Sequence, residues 1–163
     1  MQTERAIMEV DYFSQVFFTK TVLPTFLKQK SGRVVFVSSV AGLLGTQYRA
    51  SYSAAKAAIH MWANSLRAEV SKDGVEVSVV FPGFVKTNVS FNALNGEGKP
   101  QGHQDEAIEN GLDADVFAQR VVEALMAGEE YVVVGGKKEQ LGVLVSRLSP
   151  SLLYKMIRKT KVK

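Results

Sequence analysis

Between residues 3 and 28 the apolar positions Ile7, Met8, Phe13, Phe17, Phe18, Val22 and Phe26 recur mostly at steps of three and four. That period predicts a helix with a buried stripe, and Pro24 predicts a kink or a tightened last turn. The pattern then changes. "SGRVVFVSS" at 31–39 is a turn followed by a continuous apolar run, which predicts a strand over 33–38 covered on both faces. A loop rich in Gly and Ala leads into a second helical stretch, 51–72, which "KDG" stops. "VEVSVVFPG" at 75–83 predicts a second buried strand ended by proline. Residues 83–112 hold five glycines and no period, so they predict a long loop with room for a short helix. Asp113 or Asp115 opens a helix to Ala127, "EYVVVGG" is a third strand ended by its glycines, and a basic helical tail follows.

Helices alternating with buried strands predict a parallel sheet built from right-handed crossovers. The fold class is therefore α/β, the second half of an open, doubly wound sheet, in one domain over residues 1–163 without internal repeats. An apolar content of 46% with 22% charged residues is that of an ordinary globular chain. The chain has no cysteine, which excludes disulfides and thiolate chemistry and makes the cytoplasm the default location. No apolar run approaches the length of a membrane span, and "MQTERAIMEVD" is not a signal peptide.

Charge alters this picture only at one end. The net +4 is the sum of +7 over residues 137–163 and −3 over residues 1–136. With no basic stripe through the body, a nucleic-acid partner is not expected. The extension 137–163 has Leu152, Leu153, Met156 and Ile157 spaced for one helical face. A basic amphipathic helix of this kind lies on an anionic membrane surface or, more commonly, is a solvated terminal helix.

Open parallel sheets bind ligands beyond the carboxyl ends of their strands. Ser38 and Ser39 end the first strand, Pro82, Gly83 and Thr87 follow the second, and the helix with Tyr52 and Lys56 begins between them in sequence. Tyr52 and Lys56 stand at i and i+4, on one helical face. A phenol can give a proton to a developing alkoxide or take one from an alcohol, but a free phenol ionises only near pH 10. A neighbouring ammonium favours the phenolate, and a serine hydroxyl can polarise the reacting oxygen. This is acid–base equipment suited to a carbonyl.

Together these segments resemble the short-chain dehydrogenases/reductases. The resemblance lies in "VVFVSS", in "YSAAK" with Tyr52 thirteen residues after Ser39, and in "FPGFVKT" after the next strand. It implies Tyr52 as general acid/base, Lys56 as the group that assists it and holds the nicotinamide ribose, and Ser39 as the residue that positions the substrate carbonyl. It also implies that Pro82, Gly83, Val85 and Thr87 lie beside the nicotinamide of NAD or NADP. The resemblance further implies a small carbonyl or secondary alcohol as substrate, residues 83–112 as the substrate loop, and a homodimer or larger oligomer made through the helices near 3–28 and 51–72.

Two departures qualify the resemblance. No glycine-rich turn of the dinucleotide type follows a strand here, so the match is to the C-terminal catalytic part, with the adenine-binding half and the first four strands absent. Asp11 stands where the family commonly has an asparagine that anchors a relay water. It either pairs with Lys56 or anchors that water itself. The rival from another class is a non-catalytic, truncated homologue serving as a helix-mediated association module. His60 and Trp62 read as packing residues, Trp62 against another helix. His103 lacks acidic partners at ligand spacing, so no metal site is expected. Phe84, Phe91 and Leu94 could line a lid over substrate.

Overall fold

The computed structural model of the chain describes residues 1–159. The first helical stretch has three parts: α1 (Gln2–Met8), a π-helical turn over Glu9–Phe13, and α2 (Ser14–Gln29). Strand β1 (Gly32–Val37) leads through the short α3 (Ala41–Leu44) to α4 (Ala50–Val70) and β2 (Val75–Pro82). After a long loop holding α5 (Glu106–Glu109) come α6 (Ala114–Met126), β3 (Tyr131–Val134), α7 (Lys137–Leu148) and α8 (Pro150–Lys159).

The three strands are parallel in the order β1-β2-β3, with Phe36 opposite Val79 and Val80 opposite Val132. Alternation along the strands divides the core. Phe36, Val77, Val79 and Phe81 face α2 and α4, where they bury with Ile59, Ala63 and Leu66. Val80, Val132 and Val134 point the other way, onto Phe117, Val121 and Leu125 of α6. β1 is covered on one face only, since Val35 is 37% and Val37 is 51% exposed.

Several local outcomes differ from the pattern's expectations. The predicted single helix is interrupted by the π turn at Glu9–Phe13, and Pro24 lies inside α2, which runs on to Gln29. Trp62 meets β1, its ring edge-on to Phe36 at 5.6 Å. Asp113, not Asp115, caps α6, its carboxylate accepting from the Asp115 N–H. Gly74, in the left-handed region, turns the chain into β2, where a side chain would collide with the Lys30 carbonyl.

The basic tail forms two helices, and α8 uses its apolar side against the body. Leu153 is buried, Met156 and Ile157 are half-buried, and Gln47 Nε2 donates to the Arg158 carbonyl at 3.2 Å. Of the four apolar residues expected on one face, Leu152 alone is largely exposed. Lys161 and Lys163, which add to the tail's charge, lie outside the described residues. No helix among the described residues is long and apolar enough to cross a membrane.

Candidate active site

Tyr52 and Lys56 occupy the first two turns of α4, and Lys56 Nζ lies 5.6 Å from the centre of the Tyr52 ring. Lys56 is buried, so its ammonium needs partners. It has two. Nζ lies 3.0 Å from Asp11 Oδ1 and donates to the Val37 carbonyl at 3.2 Å. An ammonium carries three N–H donors, and these two acceptors are its partners among the described residues. The Tyr52 hydroxyl has no hydrogen-bond partner among the described residues, and neither has the buried Ser53 Oγ beside it.

The backbone around Lys56 is held from the end of β1. Ser38, itself buried, donates from Oγ to the Lys56 carbonyl at 2.7 Å. Gly42 of α3 packs so closely on α4 that an added Cβ would lie 2.8 Å from the Lys56 carbonyl carbon. Only hydrogen fits there.

Asp11 reaches Lys56 from the π turn, whose extra residue shifts the face a helix presents. Side chains one turn on bond its carbonyls: Gln15 Nε2 donates to the Asp11 carbonyl at 2.7 Å, and Ser14 Oγ to the Val10 carbonyl at 2.5 Å. Of the two roles open to Asp11 in the sequence, direct pairing with Lys56 is the one observed.

Ser39 begins the turn after β1. Its Oγ lies 3.4 Å from the Pro82 carbonyl and accepts from the Ala41 N–H at 3.1 Å, which brings the ends of β1 and β2 together. Gly83 passes against Gly135, where an added Cβ would meet the Gly135 Cα at 2.9 Å. Val85 is buried and bridged to Leu112 at the neck of the long loop. Thr87 begins the loop proper, its Oγ1 accepting from the Val89 N–H at 3.4 Å. The elements carrying Ser39, Tyr52, Lys56 and Pro82 thus meet at the carboxyl ends of β1 and β2, while Val85 and Thr87 lead away from it.

Sequence reasoning did not find Arg49 or Asp105. Arg49, just before α4, pairs with Asp105 of the long loop, whose side chain is 9% exposed. The only signal was one acid among the four of a loop without a period. The two histidines lie elsewhere. The His60 ring packs edge-on to Phe81 at 4.9 Å, and Asn64 Nδ2 lies 3.0 Å from its Nε2. Burial and the charges of Arg67 and Arg147 hold its pKa below the usual value. His103 is in the loop, hydrogen-bonded to the Gln101 carbonyl.

Residues 1–97, more than half of the chain, match the short chain dehydrogenase family. The chain belongs to that family. Among its curated relatives, a dehydrogenase/reductase SDR family protein 7-like from Drosophila melanogaster is 38% identical over 157 residues, which are 96% of this chain and 48% of the relative. A dehydrogenase/reductase SDR family member 7B from Xenopus laevis is 34% identical over 168 residues, 100% of this chain and 52% of the relative. The chain spans about half the length of the curated relatives it matches. Solved structures share the fold. A short chain dehydrogenase from Burkholderia cenocepacia in complex with NADP superimposes with a TM-score of 0.77 at 24% identity, over 97% of this chain and 60% of that one. One from Streptomyces avermitilis gives 0.70 at 25% identity, over 97% and 62%.

Proposed function

We propose that this chain is the catalytic part of an NAD- or NADP-dependent oxidoreductase that interconverts a carbonyl and a secondary alcohol. The observation that carries this reading is the placement of Lys56: a buried ammonium beside the Tyr52 ring, with two donors used and a third available. That spare donor fits a ribose hydroxyl. Tyr52, Lys56, Pro82, Gly83, Val85 and Thr87 would hold the cofactor's nicotinamide end.

A bound nicotinamide supplies or takes the hydride at the substrate carbon. In the reductive direction Tyr52 gives its hydroxyl proton to the substrate oxygen; in the oxidative direction the phenolate takes that proton back. Ser39 donates a hydrogen bond to the same oxygen and orients it. Lys56 keeps its positive charge against the phenolate, and Asp11 fixes the ammonium in place. Residues 83–112 cover the substrate, with Phe84, Phe91 and Leu94 as its apolar contacts. The protein works in the cytoplasm as a homodimer or larger oligomer.

The test is turnover. A protein of the relatives' full length carrying this segment should reduce ketones or aldehydes with NADH or NADPH, and Ser39→Ala should lower kcat about 10²- to 10³-fold, the usual loss for one oxyanion donor. No turnover with any carbonyl or alcohol of a broad panel would favour the association-module reading. That reading draws on Val10, Phe17 and Met61, which are 71%, 70% and 59% exposed on the π turn, α2 and α4.

A further inference from the structure

The loop between β2 and α6 is pinned at its neck and its middle, and its tip rests with Gly98 beside Thr3 of α1. Its neck is closed by backbone: Leu112 N–H donates to the Phe84 carbonyl at 2.9 Å, and Lys86 N–H to the Leu112 carbonyl at 2.8 Å. Its middle is closed by one side chain. The buried Asp105 takes the Arg49 guanidinium on Oδ2 and the Gln101 amide on Oδ1 at 2.8 Å. Its own N–H donates to the buried Ser90 Oγ at 3.1 Å, and Ser90 in turn donates to Gln104 Oε1. Gln104 Nε2 donates to the Thr87 carbonyl at 2.8 Å, so the network runs back to the neck. Beyond it residues 94–100 form an exposed hairpin-like tip.

A buried carboxylate on a loop is costly unless charged and hydrogen-bonded partners satisfy it. Every partner of Asp105 lies within the loop except Arg49. Arg49 directly precedes α4, three residues before Tyr52, and its carbonyl accepts from the Ser53 N–H at 2.8 Å in that helix's first turn. One ion pair therefore ties the loop to the turn that carries the phenol.

We propose that Arg49–Asp105 is a latch that holds the loop shut against the Tyr52 turn, and that both residues position the substrate. This rests on the reading of 83–112 as the substrate loop. With the latch made, the loop can open only at its exposed tip. With it broken, residues 86–111 swing about their two-bond neck, and Phe91 and Leu94 leave with them.

Amide hydrogen exchange on the 163-residue chain reads the latch without any need for turnover. Asp105→Asn and Arg49→Gln are each expected to speed exchange across residues 89–103 about tenfold while residues 59–66 keep their protection. The exchanged pair, Arg49→Asp with Asp105→Arg, should recover part of the slow exchange. Unchanged loop exchange in both single variants overturns the proposal. So does an equal rise across residues 59–66, which marks general loss of the fold. Arg49→Lys keeps the charge while losing the planar fork, and serves the same comparison if the other variants do not fold.

In the protein of full relatives' length, Asp105→Asn should raise KM about tenfold and change kcat less than about threefold. A fall in kcat at constant KM overturns the positioning role. Absence of turnover in the unsubstituted protein counts against the oxidoreductase reading instead, and leaves the exchange result to stand or fall separately.

Discussion

His60 shows how far a single residue's chemistry depends on its neighbours. Its ring lies against Phe81 and Tyr131, and burial, Arg67 and Arg147 all lower its pKa from 6.5. The folded chain therefore binds the imidazole proton less readily than the unfolded chain does. The neutral ring's contribution is whole above pH 6.5 and is lost as pH falls below that value toward the lowered folded pKa. Urea unfolding of the chain should show stability falling there by at most about 1.4 kcal/mol per pH unit, and His60→Gln should flatten that stretch of the profile. An unchanged slope in the variant would mean another group titrates. Ser53 gives a second test at this scale. Its buried hydroxyl has no partner among the described residues. Ser53→Ala should therefore raise stability by up to about 1 kcal/mol, read by the same urea transitions; a loss of that size would reveal a missed hydrogen bond. Sequence placed Ser39, Tyr52 and Lys56 on their elements because strand ends and helical period fix position. It could not reach the Arg49–Asp105 pair, whose members lie far apart along the chain, because loop side chains meet through tertiary closure that no local period encodes.

At the scale of elements, the helical and strand periods were legible wherever one face packs on the core, as along α4 and β2. The π turn was not: its cost is met by tertiary contacts, the Lys56–Asp11 pair among them, and these have no local sequence mark. Asp11→Leu should lower stability by about 1–3 kcal/mol, since it leaves a buried ammonium with one protein acceptor; thermal unfolding reads this, and a neutral result would show that the pair contributes nothing. Gly42→Ala tests the packing of α3 on α4. The added Cβ meets backbone at Lys56 rather than a movable side chain. A destabilisation of about 1–3 kcal/mol is expected from overpacking. The tail follows the same logic. Because Leu153, Met156 and Ile157 are turned into the body, the solvated reading of α8 is favoured, and the chain should stay in solution with anionic vesicles at low salt. Salt-sensitive cosedimentation would contradict this and point to Leu141, Leu144 and Leu148, which are exposed on α7.

The whole molecule is a half-covered sheet. Phe18, Val22 and Val35 line an open groove beside β1, and the relatives are about twice as long as this chain. The α/β class was legible from the alternation of buried strands and helices; the uncovered face of β1 was not, because "VVFV" reads as a strand buried on both sides. The central claim remains the role of Tyr52, and kinetics with cofactor titration on that full-length protein test it most directly. Tyr52→Phe removes only a hydroxyl, so kcat should fall about 10²- to 10⁴-fold while the dissociation constant for NADH or NADPH changes less than about threefold. Turnover at the unsubstituted rate in Tyr52→Phe would contradict the assignment outright.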